Sequence, residues 1–199
     1  MSRPPRPPIL VLALAGAFLL LVASLVIGSF TTPEFPPYAV TPPASRPAPV
    51  GDSLVGPSTY TLDASAGEAW RRFDFGRNAV VDSGSWDIAF RRHHIIAAPG
   101  AGIADLGAVP FDSVREVPAL GYAPTDFGRD TANPGVGKWY AYSMLSHLLT
   151  TKGHVYALRS ADGHYAKLEI LAYYCRDVGA ACYTVRYAFQ GDGSRRVVK

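Results

Sequence analysis

The run from Ile9 to Phe30, ILVLALAGAFLLLVASLVIGSF, constrains this chain more than any other stretch: 22 residues carry no charge. Coiled as an α-helix it is about 33 Å long, enough to cross the roughly 30 Å hydrocarbon core of a bilayer. Arg3 and Arg6 precede it, and no basic residue follows before Arg46. The positive-inside rule therefore places residues 1–8 in the cytoplasm and everything after Phe30 on the far side. The competing reading is a cleaved signal peptide, whose apolar core runs about 7–15 residues and ends at a small-x-small site. This run is longer, no clean A-x-A follows it, and no cysteine lies near its end to take a lipoprotein acyl chain. The expectation is an uncleaved, single-pass helix over 9–30 in the inner (cell) membrane. Within it, Ala13, Gly16, Ala17 and Ala23 are small enough to let a second helix approach closely in the bilayer.

Residues 31–57 follow as a tether. Eight of these 27 are proline: Pro33, Pro36, Pro37, Pro42, Pro43, Pro47, Pro49 and Pro57. Proline fixes φ and removes a backbone donor, so neither helix nor sheet is expected. A polyproline-type spacer of this length reaches about 80 Å at full extension, or runs along a neighbouring protein.

Residues 58–199 have the size of one ordinary domain with its own core. From Tyr60 onward 16 Lys and Arg stand against 14 Asp and Glu, a net of +2, too near neutral to indicate nucleic acid. The basic end, Arg195, Arg196 and Lys199, reads as a solvated tail. Cys175 and Cys182 are the two cysteines. Leu168–Tyr174 and Cys182–Phe189 read as strands joined by a short loop, so the sulfurs face each other at the end of a hairpin outside the membrane, where disulfides persist. A redox or metal pair would want C-x-x-C or further nearby ligands.

The domain reads as strands with little helix. Tyr60–Asp63 opens it. Ser65 and Glu68 have capping-box spacing for a short helical turn, weakened by Gly67. Residues 70–75 and 86–91 alternate apolar and polar, as half-buried strands do, and place Trp86, Ile88 and Phe90 on one face. Residues 99–107 read as a glycine-rich turn. Residues 111–129 are proline-punctuated and irregular, and 139–149 reads as a helical turn or an irregular crossing. Asp162-Gly163 marks a hairpin turn between Val155–Arg159 and Tyr165–Tyr174. Six to eight strands, mostly antiparallel, make an all-β domain behind one transmembrane helix.

The chemistry-bearing patterns are missing. There is no G-x-S-x-G, no H-E-x-x-H, no phosphate-cradling loop and no dinucleotide fingerprint. Without C-x-x-C-H, covalent c-type haem attachment is excluded. No spacing places two carboxylates together. No catalytic residue and no metal site is expected, and the chain does not read as an enzyme. Of five histidines, His93 and His94 are adjacent on an apparent strand, where they would point to opposite faces and not share a metal. His164 sits beside the Asp-Gly turn, and His154 is the fifth histidine. Met144 and His147 lie in an apolar stretch and offer an axial haem ligand; the alternative for each histidine is a hydrogen bond to backbone.

WDIAF at 86–90, GKWYAY at 137–142, HVYALRSADGHYAKLEIL at 154–171 and YTVRYAFQ at 183–190 resemble the HmuY family of haem-binding surface proteins. The resemblance covers nearly all of residues 60–190, and residues 155–171 are its most specific part. It implies an all-β, right-hand-like fold and haem held non-covalently between loop fingers by two axial side chains. One of those ligands would fall in the irregular stretch before Asp130, where this chain has neither histidine nor methionine. The other would fall at Met144 or His147. The family's lipid-anchoring cysteine is replaced here by the apolar helix.

Two functions follow. The first is a non-catalytic accessory subunit, without cofactor, clipped to other subunits of a larger membrane complex through its helix, tether and periplasmic domain; a photosynthetic or respiratory assembly is a natural host. The second is membrane-tethered haem capture, with non-covalent haem as the cofactor.

Overall fold

The computed structural model describes residues 8–43, 51, 53–128 and 131–198. Arg3, Arg6, the tether residues 44–50 with Arg46, Pro47 and Pro49, residues 52, 129 and 130, and Lys199 lie outside the described residues. The chain divides into two units, Met1–Pro33 with Tyr142–Leu149, and Glu34–Ala141 with Thr150–Lys199.

In the first unit, helix α1 spans Ile9–Ser29, and Phe30 closes it by donating its N–H to the Ile27 carbonyl at 3.1 Å. None of its residues is buried against protein. A helix that is apolar all round needs apolar surroundings, and among the described residues this one is long and apolar enough to cross a membrane.

The second unit is built from strands β1 (Leu54–Asp63), β2 (Arg71–Asp74), β3 (Ala79–Val81), β4 (Ile88–Arg91), β5 (His94–Ala97), β6 (Gly102–Asp105), β7 (Ala123–Pro124), β8 (Tyr140–Tyr142), β9 (Leu149–Thr151), β10 (Val155–Arg159), β11 (Tyr165–Cys175) and β12 (Gly179–Gln190). The tip of the β8–β9 hairpin belongs to the first unit. Six strands form a sheet in the order β1-β12-β11-β10-β6-β7, four form a second in the order β3-β2-β4-β5, and every pairing in them is antiparallel.

Alternation along β12 sets the core. Tyr183, Val185 and Tyr187 face the four-stranded sheet, where Phe90 meets Tyr183 at 4.9 Å and Phe73 meets Tyr187 at 5.6 Å between ring centres. These rings are fully buried, and edge-on aromatic pairs add to the apolar area they remove from water. The opposite face of β11–β12 is covered by residues 106–117, including the 3-10 turn Phe111–Ser113. There buried Lys167 donates from Nζ to the Phe111 and Val114 carbonyls at 2.9 and 2.7 Å, so its charge is not left bare. Cys175 and Cys182 are disulfide-bonded across the β11–β12 turn.

Four expectations change. No helical turn follows Ser65; its N–H is taken at 2.8 Å by the Asp63 carboxylate, a local bond that competes with a helix start. Within the glycine-rich stretch, Gly102–Asp105 is strand β6, inside the larger sheet between β10 and β7. Residues 139–149 are neither helical turn nor crossing but one side and the tip of the β8–β9 hairpin. The tether is not free along its whole length: Thr41 donates its N–H to the Thr61 carbonyl at 2.8 Å, and its side-chain oxygen accepts from the Thr61 N–H at 2.9 Å. β1 itself begins at Leu54, before Pro57, because it is an edge strand and an edge tolerates a missing donor.

Candidate functional site

The β8–β9 hairpin is a finger with an internally bonded tip. Ser143 N–H donates to the Leu148 carbonyl, and His147 N–H to the Ser143 carbonyl, both at 2.9 Å. Ser146 N–H reaches the Ser143 hydroxyl at 3.2 Å. His147 has φ +57°, a left-handed conformation that histidine adopts more readily than branched residues do. The finger therefore brings Met144 and His147 into one tight turn. Met144 is 71% exposed, Leu145 53% exposed, and His147 is exposed as well.

The Tyr142 hydroxyl is hydrogen-bonded to His147 Nδ1. When Nδ1 carries the proton and donates it to the tyrosine oxygen, Nε2 keeps a free lone pair pointing away. This is the arrangement by which a partner on one imidazole nitrogen orients the other for coordination.

At the finger's base, Trp139 is buried and donates from Nε1 to the His93 carbonyl at 2.9 Å. His93 and His94 do not point to opposite faces. Arg92, at φ +50°, turns the chain with His93 between β4 and β5, so alternation stops there and the two rings lie 4.0 Å apart. Burial, aided by Arg92 for His93 and by His93 and Arg91 for His94, lowers both from the usual imidazole range. Both are thereby held toward the neutral form, yet they are two ligands only. No group of three or more His, Cys, Asp or Glu placed to hold a metal exists among the described residues.

The loop segment of residues 118–128 has Leu120 and Phe127 exposed and is tied to β6 through β7. It contains no histidine or methionine.

A cavity of about 360 Å³ in the second unit is lined by Asp74, Arg77, Trp86, Asp87, Asp162 and His164 among others. Sequence spacing does not bring these carboxylates together; the fold does, by setting the β2 end, the β4 start and the Asp-Gly turn side by side. Asp74 is ion-paired with Arg77, and Asp162 with His164 Nδ1 at 3.1 Å. Burial works to raise Asp162, but the Ser160 hydrogen bond and the His164 charge outweigh it and hold the group below its usual range. Asp87 differs. Burial, with Asp74 and Asp162 nearby, pushes it up to about 7 although it accepts the Phe75 N–H at 2.8 Å. The result is one carboxyl that is half protonated near neutrality, flanked by satisfied ion pairs.

No protein-family profile matches the chain, and no curated protein matches it in sequence. Solved structures do match. The apo HmuY analog of Tannerella forsythia aligns with a TM-score of 0.56 at 16% identity, covering 71% of this chain and 98% of its own. Apo PinO from Porphyromonas gingivitis gives 0.57 at 15%, covering 69% and 97%. A Bacteroides vulgatus protein, provisionally described as HmuY-like and heme-binding, gives 0.56 at 18%, covering 69% and 96%. The β domain has the HmuY-like fold.

Proposed function

We propose that this chain is a non-enzymatic, membrane-tethered protein of the extracytoplasmic side that binds haem without a covalent link. The observation that carries the reading is the HmuY-like fold with a finger whose tip offers His147, its ring oriented by Tyr142, and Met144. The Bacteroides vulgatus neighbour, provisionally described as heme-binding, supports it, and so does the lipoprotein assignment given provisionally to a Bacteroides fragilis neighbour with a TM-score of 0.56 at 16% identity. The apolar helix α1 replaces a lipid as the anchor, with residues 1–8 cytoplasmic. His147 or Met144 would hold the haem iron, and residues 118–128 would supply no second histidine or methionine to it.

Haem titration into the purified full-length chain tests this. The expected result is a saturable Soret shift with one haem per chain, weakened by His147→Ala and abolished by His147→Ala with Met144→Ala. A linear, unsaturated response, or an unchanged shift in the double variant, removes the assignment.

A second reading, an accessory subunit of a membrane complex, is favoured by one surface. Arg91 lies 4.4 Å over the Trp70 ring and Arg72 lies 5.8 Å over Trp86. Interface hot spots concentrate Arg and Trp in this way. Mild-detergent pull-down of wild type against Arg72→Ala with Arg91→Ala distinguishes the readings: a stoichiometric partner lost in the variant supports this one.

A further inference from the structure

We infer that the β8–β9 fingertip is itself a membrane-contact element, seated in the interfacial layer of the bilayer that α1 crosses. This rests on the anchor part of the reading above, and not on haem.

Three observations carry it. First, the finger meets the helix. A Cβ added at Gly28 would overlap the carbonyl oxygen of Leu145 and crowd its Cβ at 3.3 Å, so the tip's backbone lies directly on the last turn of α1. The tip and α1 belong to one unit. Gly28 is the position where a side chain is absent because another backbone occupies its place. Second, the tip is apolar on its free side. Met144 and Leu145 are among the most exposed large apolar residues beyond the helix and its exit, and Tyr142 is 47% exposed. Third, the finger carries no charge at all. The 13 residues from Trp139 to Thr151 contain no Asp, Glu, Lys or Arg, and Lys138 and Lys152 stand at the two ends of that run.

A water-facing hairpin normally carries charge, and an apolar one in water is a liability. Beside the end of a membrane-crossing helix the same composition is favourable. The last turn of such a helix lies at the boundary between hydrocarbon and head groups, where Tyr and apolar side chains partition and lysines reach outward to the phosphates. Phe30, 79% exposed at the helix end, belongs to the same layer. The occupant is therefore phospholipid, with acyl-chain tops against Met144 and Leu145 and head groups around Tyr142. Seated there, the finger gives the chain a second attachment point beside α1.

Because both native cysteines are disulfide-bonded, a single introduced cysteine takes a fluorophore cleanly. The full-length chain is placed in phosphatidylcholine–phosphatidylglycerol nanodiscs, labelled with an environment-sensitive probe at Leu145→Cys or, separately, at Val22→Cys inside α1. Both probes are expected to emit blue-shifted light. Leu145→Cys is quenched by lipids brominated near the glycerol end of the acyl chain, and Val22→Cys by lipids brominated deeper. Quenching at Val22→Cys with none at Leu145→Cys overturns the fingertip proposal and leaves the anchor standing. Quenching at neither overturns both. A label-free arm guards against a disturbed tip. Met144 and Met1 are the two methionines, and oxidation of Met144 by a bulky water-soluble oxidant is expected to be several-fold slower in the intact chain than in Gly28→Val, which displaces the finger. Equal, fast oxidation in both overturns the proposal.

Discussion

At the residue scale, two buried polar groups make separable predictions. The Tyr183 hydroxyl is buried with no hydrogen-bond partner among the described residues, enclosed by Trp139, Tyr173 and Phe90. An unpaired buried hydroxyl costs about 1–3 kcal/mol, so Tyr183→Phe is expected to leave stability unchanged or raise it by about 1 kcal/mol in chemical denaturation. Asp87 ties stability to pH. Its folded value of about 7 lies above the unfolded 3.8, so the folded state holds the proton more tightly. That contribution is complete below about pH 4 and is lost as pH rises to 7. Asp87→Asn, which keeps an acceptor for the Phe75 N–H, is expected to flatten this interval of the stability–pH profile. A profile equal to wild type would contradict the assignment. The sequence held no sign of either: a hydroxyl's partners and a carboxyl's burial depend on which distant strands meet.

At the element scale, legibility followed local chemistry. The Asp162-Gly163 turn and the Cys175–Cys182 hairpin were readable because their signals lie within a few residues. The strand β6 was not, because Gly102 looks like a turn residue until the fold shows why it is there: a Cβ would press into Tyr122 and the β7 backbone. The β8–β9 finger was missed for a related reason, since alternation has no meaning in a hairpin outside the core. The disulfide is the element-scale test. The two sulfurs are 7 residues apart, and chain entropy for so small a loop gives about 2.5 kcal/mol. Replacing both cysteines by alanine is expected to lower unfolding free energy by about that amount and to leave the fold intact by circular dichroism. A loss near zero would mean that the β11–β12 pairing alone fixes the turn.

At the scale of the whole molecule, an apolar helix precedes an HmuY-like domain, and the chain between them bonds to that domain at Thr41 and enters it as edge strand β1 from Leu54. The helix was fully legible, because 22 uncharged residues leave few alternatives. The domain's fold was legible through the resemblance of four segments, and its strands only in part. The sequence offers Met144 and His147 as candidate ligands, but not the geometry around them. Neither the tight turn that joins them nor the Tyr142 bond that orients His147 can be read without the chain path. Haem binding is the property proposed for this domain. The most direct test is gentle extraction of the full-length protein from its own membrane, with the absorption spectrum and protein composition of the eluate read together. The expected result is a Soret band that co-purifies with the chain, or that forms on adding one equivalent of haem. An eluate with stoichiometric partner proteins and no Soret band, even after haem is added, would contradict it.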